Sequence, residues 1–248
     1  MRISNSDWQI SAFFNFAKRL LKAYWRSLLL LLVGVGLPLL VFEELAIVVW
    51  QNAGSFPWDE PVLFAIHTTA RSDLDAFVTI LTRLGVYWGV LPAAIVMALR
   101  LLYLRRWRSL VYWAIVLLGS TFLNRTAKAF WQRSRPSLWD LVVPERDFSF
   151  PSGHAMSSMT FVMALLVLTW GTRWFGLVLS LGSLFVVSIA WTRLYLGVHF
   201  PSDILAGWMV SIAWAVGLSL LIRPHLTPSP TVPETTLTPR EEESIAQG

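Results

Sequence analysis

The sequence contains no cysteine among its 248 residues. Disulfide bonds and cysteine–zinc sites are therefore excluded, while the redox state of the compartment is left open. Charged residues are also scarce, at 14% of the chain, whereas a soluble domain has about a quarter. Hydrophobic residues make up 55% instead. This balance indicates a protein that places most of its apolar surface in a membrane.

Long apolar runs are what the sequence has in abundance. A transmembrane helix needs about 20 predominantly apolar residues, and six runs come close to or exceed this length. They cover residues 27–49, 75–103, 109–131, 153–171, 174–192 and 202–222. The pattern predicts an all-α integral membrane bundle of six transmembrane helices, forming one domain over residues 27–223. Gly85 and Pro92 lie inside the second run, where we expect a kink or a tilt.

Three segments outside these runs differ in character. Residues 7–25 mix aromatic and basic side chains, which predicts an interfacial helix on the cytoplasmic surface within an N-terminal segment over residues 1–26; a polar leader is the alternative. Residues 57–73 predict a short amphipathic helix at the opposite interface, which either covers the site or acts as a connector. Residues 224–248 are rich in Pro, Thr, Ser and Glu, a composition typical of a disordered tail.

The net charge of +5 is concentrated beside the apolar runs. Basic residues precede the first run and connect the second to the third: Lys18, Arg19, Lys22, Arg26, Arg100, Arg105, Arg106 and Arg108. If the spans alternate in direction, this distribution follows the positive-inside rule and both termini are cytoplasmic. No basic stripe extends beyond the membrane flanks, so nucleic acid is not an expected partner.

Polar clusters stand at the ends of three apolar runs. They are Lys128 with Arg135–Pro136, then Pro151–Ser152–Gly153–His154, and finally Thr192–Arg193 with His199 and Asp203. With alternating spans, all of them reach the extracytoplasmic face. Lysine and arginine neutralise phosphate oxygens, and free N–H groups at a helix start form an anion site. Together with two imidazoles, this inventory suits phosphoryl transfer through a histidine.

The order and spacing of the clusters resemble the signature of the type 2 phosphatidic acid phosphatase superfamily, which includes bacterial lipid phosphate phosphatases and vanadium haloperoxidases. The signature has Lys, six residues and Arg-Pro, followed by Pro-Ser-Gly-His. It ends with Ser-Arg, five residues, His, three residues and Asp. The chain departs from it at Thr192, where the signature has Ser. The resemblance extends over residues 57–222.

The resemblance implies a role for each matched residue. His199 is expected to be the nucleophile that forms a phosphohistidine, with Asp203 fixing its tautomer. His154 is expected to protonate the leaving oxygen and then to activate water. The other positions are expected to bind the phosphate oxygens: Lys128, Arg135, Ser152, Gly153 and Arg193. No metal or other cofactor is expected, because these cations supply the neutralising charge of a magnesium ion.

The resemblance thus implies a metal-independent membrane phosphatase of a bacterial inner membrane, with its active site on the extracytoplasmic face. The expected partners are the bilayer and a lipid phosphate or diphosphate: phosphatidic acid, phosphatidylglycerol phosphate or undecaprenyl diphosphate. Two alternatives stay open. One is a lipid phosphotransferase that uses an acceptor alcohol, and the other is a non-enzymatic transporter or scaffold. The oligomeric state is not determined by the sequence.

Four further basic residues, or histidines, that lie outside the signature also need an interpretation. We interpret Arg125 and Arg133 as residues at the membrane edge, and His67 as a surface residue. Arg83 lies inside the second apolar run, about two turns from its outer end. Its side chain is expected to extend to the interface, and a functional charge within the membrane is the alternative.

Overall fold

The computed structural model describes residues 16, 18–19, 22–52, 54–139 and 145–225. These residues include a helical segment over 22–31, a π-helical turn over Leu32–Gly36 and eight further α-helices, and they contain no strand. The helices are α1 (Leu37–Asn52), α2 (Asp59–His67), α3 (Ser72–Leu84), α4 (Val90–Tyr103), α5 (Trp107–Trp131), α6 (Gly153–Thr169), α7 (Phe175–Tyr195) and α8 (Pro201–Ile222). The prediction of an all-α protein is confirmed.

Four of the described helical segments are long and apolar enough to cross a membrane. They are Lys22–Gln51, which contains the π-helical turn and most of α1, together with α5, α7 and α8. The apolar helices α4 and α6 are shorter, with 14 and 17 residues. At 1.5 Å per residue they extend about 21 Å and about 25 Å, less than the roughly 30 Å of a hydrocarbon core. The count of six spans therefore stays a prediction.

The second apolar run does not form the single kinked helix that its sequence predicts. It divides into α3 and α4, joined by a turn over residues 85–89. At Gly85 a Cβ atom would lie 2.8 Å from Ile189 Cγ2, so the turn packs tightly against α7. Pro92 falls in the first turn of α4, where a missing N–H leaves no intrahelical hydrogen bond unmade. The helix therefore ends and restarts here instead of bending.

The segment predicted as an amphipathic helix over residues 57–73 forms the shorter helix α2. Asp59 and Leu63 are buried in it, so α2 packs onto the bundle. The interfacial helix predicted over residues 7–25 lies largely outside the described residues, and the tail predicted over 224–248 lies almost wholly outside them. The division of the chain into these segments stays a prediction.

Helix α6 lies at the centre of the bundle and packs against α4, α5, α7 and α8. Its first turn is held close to α8 at Gly207, where a Cβ atom would lie 3.1 Å from the Ser152 carbonyl oxygen. The start of α6 and the start of α8 therefore meet. Two of the three polar clusters lie at these helix starts.

The outward faces of the helices are apolar. Leu118 is 71% exposed, Phe122 70% and Leu184 64%. Contiguous apolar surface of this kind is rare on soluble monomers and is the normal lipid-facing surface of a transmembrane helix.

Candidate active site

The three polar clusters come together at one end of the bundle. Lys128 lies in the last turn of α5 and Arg193 in the last turn of α7, while His154 is the second residue of α6. Arg135 and His199 lie in the connections that precede α6 and α8. Because two of these helices end and two connections lead into helix starts at this level, side chains that are far apart in sequence become neighbours.

His199 is held by a carboxylate one turn further along the chain. Its Nδ1 lies 3.3 Å from Asp203 Oδ2, and the same oxygen accepts a hydrogen bond from the Phe200 N–H at 2.9 Å. Both His199 and Asp203 are buried. An Nδ1–H that donates to the carboxylate leaves Nε2 with its lone pair. This nitrogen faces Arg135, whose Nη1 donates to it at 3.1 Å.

His199 lies in a strongly cationic environment. Burial lowers the pKa of His199 well below 6.5, and the positive charges of Arg135, Arg193 and Lys128 lower it further. The imidazole is therefore neutral at neutral pH and presents a lone pair on Nε2, the form that can act as a nucleophile.

Lys128, Arg135 and Arg193 form a cationic cluster that two carboxylates neutralise. Glu145 bridges the arginines: its Oε2 lies 2.7 Å from Arg135 Nη2, and its Oε1 pairs with Arg193 Nη2. Asp147 pairs with both Lys128 and Arg135. The sequence analysis missed these acidic residues, because charges in a polar connection carry no distinctive pattern.

The pKa of Asp147 reflects the strength of these pairs. Partial burial acts to raise the pKa of this carboxyl, but the hydrogen bonds and charges of Lys128 and Arg135 outweigh burial and lower it overall. Asp147 is therefore ionised at neutral pH and compensates part of the cationic charge.

The segment before α6 is fixed by hydrogen bonds to its backbone. Ser152 is the N-cap residue of α6, its side chain is buried, and its N–H donates to the Asp203 carbonyl oxygen at 3.1 Å. Asn124 in α5 donates from Nδ2 to the Pro151 carbonyl oxygen at 3.0 Å. The sequence analysis missed Asn124, although an asparagine inside an apolar run was a usable signal. Gly153 leaves room for it, since a Cβ atom would lie 3.1 Å from Asn124 Oδ1.

Two cavities meet at His154. The larger has a volume of about 590 Å³ and is lined at its polar end by Lys128, Gly153, His154 and His199. The smaller, of about 250 Å³, is lined by His154 and Arg193. Of the residues predicted for the site, Arg135, Ser152 and Asp203 line neither cavity. The Ser152 hydroxyl caps α6 instead.

The larger cavity also reaches the apolar surface of the bundle. Its other end is lined by α4 and α5 residues that include Leu91 and Leu118, which are 51% and 71% exposed. The cavity therefore connects the polar cluster with the lipid-facing side of these helices.

Several residues differ from their sequence-based interpretation. Arg133, interpreted as a membrane-edge residue, is 1% exposed and binds Asp203. His67, interpreted as a surface residue, stacks on Trp139 with 3.9 Å between ring centroids. Thr192 keeps a hydroxyl at the signature position, but its Oγ1 donates to a carbonyl oxygen of its own helix at 2.6 Å.

Arg83 and Arg125 both line the cavities. Arg83 borders the smaller cavity, with its guanidinium 6.0 Å from the Trp88 ring centroid. Arg125 borders the larger cavity. No group of three or more His, Asp or Glu side chains in the described part of the chain is arranged to hold a metal ion.

Comparison with known proteins identifies the family. The family model of the PAP2 superfamily matches residues 109–226, the region that carries all three clusters. A crystal structure of a transmembrane PAP2 type phosphatidylglycerolphosphate phosphatase from Bacillus subtilis superposes with a TM-score of 0.64 and 26% identity, covering 76% of this chain and 93% of that one. Residues 109–226 thus match the PAP2 superfamily, and the chain is an all-helical integral membrane protein.

Similar proteins from several organisms extend the comparison. Phosphatidylglycerophosphatase B of Bacillus subtilis (strain 168) is 29% identical over 179 residues, which are 70% of this chain and 87% of the relative. An undecaprenyl-diphosphatase of Sulfolobus acidocaldarius is 37% identical over 76 residues, 31% of this chain and 34% of the relative. The chain covers 54% of a further matched protein from Escherichia coli (strain K12). The chain thus spans most of one relative but only about half or a third of the other two.

Proposed function

We propose that this protein is a membrane phosphatase that hydrolyses lipid phosphate or diphosphate headgroups. The observation that carries the proposal is the convergence of two histidines and a cationic cluster on a cavity that reaches the apolar surface. The names of its relatives, which include phosphatidylglycerophosphatase B and undecaprenyl-diphosphatase, support the same substrate class.

In the first step His199 Nε2 attacks the phosphorus atom. The bond from phosphorus to the leaving oxygen breaks, and His154 donates a proton to that oxygen, so that the alcohol or the shortened phosphate leaves with this oxygen protonated. Asp203 accepts the Nδ1–H bond at 3.3 Å and stabilises the positive charge that the imidazole gains. The product of this step is a phosphohistidine.

In the second step water releases the phosphate. His154, now without its proton, removes a proton from a water molecule that attacks the phosphohistidine, and the bond between phosphorus and Nε2 breaks. Inorganic phosphate leaves, and His199 returns to its neutral form. His154 and His199 line the same larger cavity, which supports the action of both on one phosphate.

Lys128, Arg135 and Arg193 are the proposed ligands of the equatorial oxygens. A phosphate that binds here replaces Glu145 and Asp147, which pair with these cations in the structure. Arg193 offers a further donor, because its Nε is buried and has no hydrogen-bonding partner among the described residues. The Gly153 N–H at the start of α6 is the proposed backbone donor. Ser152 has a supporting role in this proposal, since its hydroxyl caps the helix.

These cations make a bound metal unnecessary in the proposed mechanism. In this proposal Lys128, Arg135 and Arg193, which share the carboxylates Glu145 and Asp147 in the structure, supply the charge compensation that magnesium supplies in many phosphoryl-transfer enzymes. We therefore propose a hydrolase that works without a metal ion or other cofactor.

The substrate is proposed to enter sideways from the outer leaflet. The larger cavity joins the cationic cluster to exposed apolar residues of α4 and α5. A lipid headgroup could reach the cluster through it while the chains remain in the bilayer.

The charge distribution supports an extracytoplasmic site in a bacterial inner membrane. Basic residues collect at the end of the bundle opposite the site, in the connections between α4 and α5 and between α6 and α7 and after α8: Arg105, Arg106, Arg173 and Arg223. By the positive-inside rule that end is cytoplasmic, and both termini are proposed to be cytoplasmic with it.

Phosphate release from purified lipids tests this function. The protein, reconstituted in vesicles, is expected to release inorganic phosphate from phosphatidic acid, phosphatidylglycerol phosphate or undecaprenyl diphosphate, and a His199→Ala variant is expected to release none. Loss of the lipid phosphate without free phosphate, but with a phosphorylated alcohol, would indicate a phosphotransferase. No turnover of any lipid by the folded protein would favour a transporter or scaffold.

A further inference from the structure

Arg133 is a fully buried cation outside the three signature clusters. Its Nη1 donates to Asp203 Oδ1 at 2.6 Å and to Ser202 Oγ at 2.8 Å. Its Nη2 donates to Asp59 Oδ2 at 2.9 Å and to the Gly54 carbonyl oxygen at 2.9 Å. Both ends of the guanidinium are therefore fixed, and neither reaches the cavities.

Asp203 is oriented from both of its oxygens. Oδ1 binds Arg133, while Oδ2 accepts the hydrogen bonds of His199 Nδ1 and of the Phe200 N–H. Rotation of the carboxylate would break at least one of these contacts. Arg133 thus helps to fix the plane of the carboxylate relative to the imidazole.

Asp59 connects this arrangement to α2. Its Oδ1 accepts the Ser202 N–H at 2.9 Å, and its Oδ2 accepts the Ser202 hydroxyl at 2.6 Å as well as the Arg133 bond. The side chains of Arg133, Asp59 and Asp203 are all 0% exposed. The guanidinium also lies over the Phe200 ring, 4.3 Å from its centroid, so it is enclosed on one face as well.

The charge balance of the group suits a reaction in which His199 becomes positive. One guanidinium is shared between two carboxylates, so Asp203 is incompletely neutralised and keeps negative charge toward the imidazole. A buried carboxylate without a counter-ion would be costly. Arg133 supplies that counter-ion. Because Arg133 also pairs with Asp59, its positive charge neutralises Asp203 only in part.

We propose that Arg133, held by Asp59, is a positioning residue that orients Asp203 and thereby keeps His199 in the Nδ1–H tautomer. Its catalytic consequence rests on the proposed function, whereas its effect on the tautomer does not. Helix α2, for which the sequence left open a covering or a connecting role, contributes to the site through Asp59.

The tautomer of His199 is measured directly by ¹⁵N NMR on protein labelled at histidine. The chain has only four histidines, so the His199 signals are assigned by their loss in His199→Ala. The wild-type protein is expected to show a protonated Nδ1 and an unprotonated Nε2. Arg133→Gln and Asp59→Asn are expected to shift the signals toward a mixture of tautomers, while Arg133→Lys retains more of the native form.

Arg71→Gln is the matched control. Arg71 also pairs with an aspartate, Asp73, at 2.7 Å, but its side chain is 70% exposed and lies outside the site. This variant is expected to leave both the histidine signals and the turnover unchanged.

Turnover provides the second measurement. A misplacement of about 1 Å in a reacting group can cost about 100-fold in rate, so Arg133→Gln is expected to lower kcat by up to that factor with little change in KM. In an Asp203→Asn background the same substitution is expected to have little further effect, because Arg133 acts through Asp203.

The outcomes separate this inference from the proposed function. If the wild-type protein releases no phosphate from any lipid, the proposed function fails, and the NMR signals still decide the role of Arg133. Folded Arg133→Gln protein with wild-type His199 signals would overturn the inference, as would equal losses of kcat in both backgrounds. If Arg133→Gln, Arg133→Lys and Asp59→Asn all fail to fold, Arg133 has a structural role only and the inference is wrong.

Discussion

The residues of the proposed site differ mainly in how each is held. His199 is buried, its Nδ1 contacts Asp203, and its Nε2 accepts a hydrogen bond from Arg135, so the ring is held at both nitrogens. His154 borders both cavities. Within the described part of the chain, no hydrogen bond holds its imidazole ring. This difference suits the proposed roles of His199 as the nucleophile and of His154 as the acid–base residue.

Substitution of the two histidines should separate these roles. His199→Ala is expected to abolish formation of the phosphohistidine with every substrate. His154→Ala is expected to lower turnover of lipid phosphates by about 10²–10⁴-fold, yet to form the phosphohistidine from p-nitrophenyl phosphate, whose leaving group needs no proton. Radioactive labelling from ³²P-substrate measures the intermediate. Labelling of His199→Ala at the wild-type level would show that His199 is not the nucleophile.

The pKa of His199 should depend on the positive charge of Arg135. Burial and the neighbouring cations lower the pKa of His199 well below 6.5, so the ring is expected to remain neutral at pH 6.5 and to gain a proton only at lower pH. Arg135→Gln removes the closest charge and is expected to raise this pKa, while burial keeps it below that of a free imidazole. A ¹⁵N NMR titration of both proteins measures the difference. An unchanged or lower pKa in the variant contradicts this electrostatic assignment.

Metal removal tests the role of the cationic cluster. Activity is expected to persist in EDTA, because Lys128, Arg135 and Arg193 supply the charge compensation. Vanadate is expected to inhibit competitively, since it adopts the five-coordinate geometry of the transition state. Activity that is lost in EDTA and restored by magnesium would exclude the proposed mechanism.

At the scale of the elements, the turn between α3 and α4 forms one side of the proposed active site, next to His154. Gly85 lies in this turn, where a Cβ atom would be 2.8 Å from Ile189 Cγ2 and 3.4 Å from His154 Cδ2. The β-branched isoleucine has little freedom to move aside. The turn therefore packs against α7 and against the imidazole at the same time.

Gly85→Ala should accordingly disturb both stability and catalysis. Overpacking of this kind costs about 1–3 kcal/mol, so we expect a lower unfolding temperature and a lower kcat. Gly176→Ala is the matched control, because a Cβ atom at Gly176 would have no neighbour within 4 Å and alanine favours a helix over glycine. Thermal unfolding in detergent and phosphate release measure the two effects. Equal behaviour of both variants would show that the contact at Gly85 is unimportant.

At the scale of the whole molecule, the cavity and the apolar surface predict a preference for membrane-bound substrates. The bilayer concentrates a lipid at the height of the headgroups and orients its phosphate toward the cluster. A chain that is already in the membrane gains little further energy from burial, although each methylene transferred from water contributes about 0.8 kcal/mol. The expected advantage is thus one of position.

Long-chain and short-chain substrates distinguish this effect. In the same vesicles, kcat/KM is expected to be higher for a long-chain phosphatidic acid than for a water-soluble phosphate monoester. A Leu118→Ser variant, changed at the apolar end of the cavity, is expected to reduce the value for the lipid only. Equal specificity constants for both substrates would favour a soluble phosphomonoester and contradict lateral entry.

The sequence alone determined the helical membrane architecture and the end of the bundle at which the polar clusters meet. Apolar runs near 20 residues leave a helix as the way to satisfy the backbone in lipid, and successive membrane-crossing helices must alternate in direction. Lys128, His154 and His199 were therefore identified from spacing, and the structure brings their elements together. Their chemical roles remain proposals.

The tertiary structure alone decided which charges compensate one another. Arg133 contacts Asp59, 74 residues away in sequence, and Asp203, 70 residues away, and no local pattern encodes such pairs. The split of the second apolar run likewise places Gly85 against Ile189 of α7, a contact that no local pattern predicts. Hydropathy and spacing indicate whether a segment lies in lipid or in water. The partner of a buried charge, in contrast, is determined only when distant helices pack.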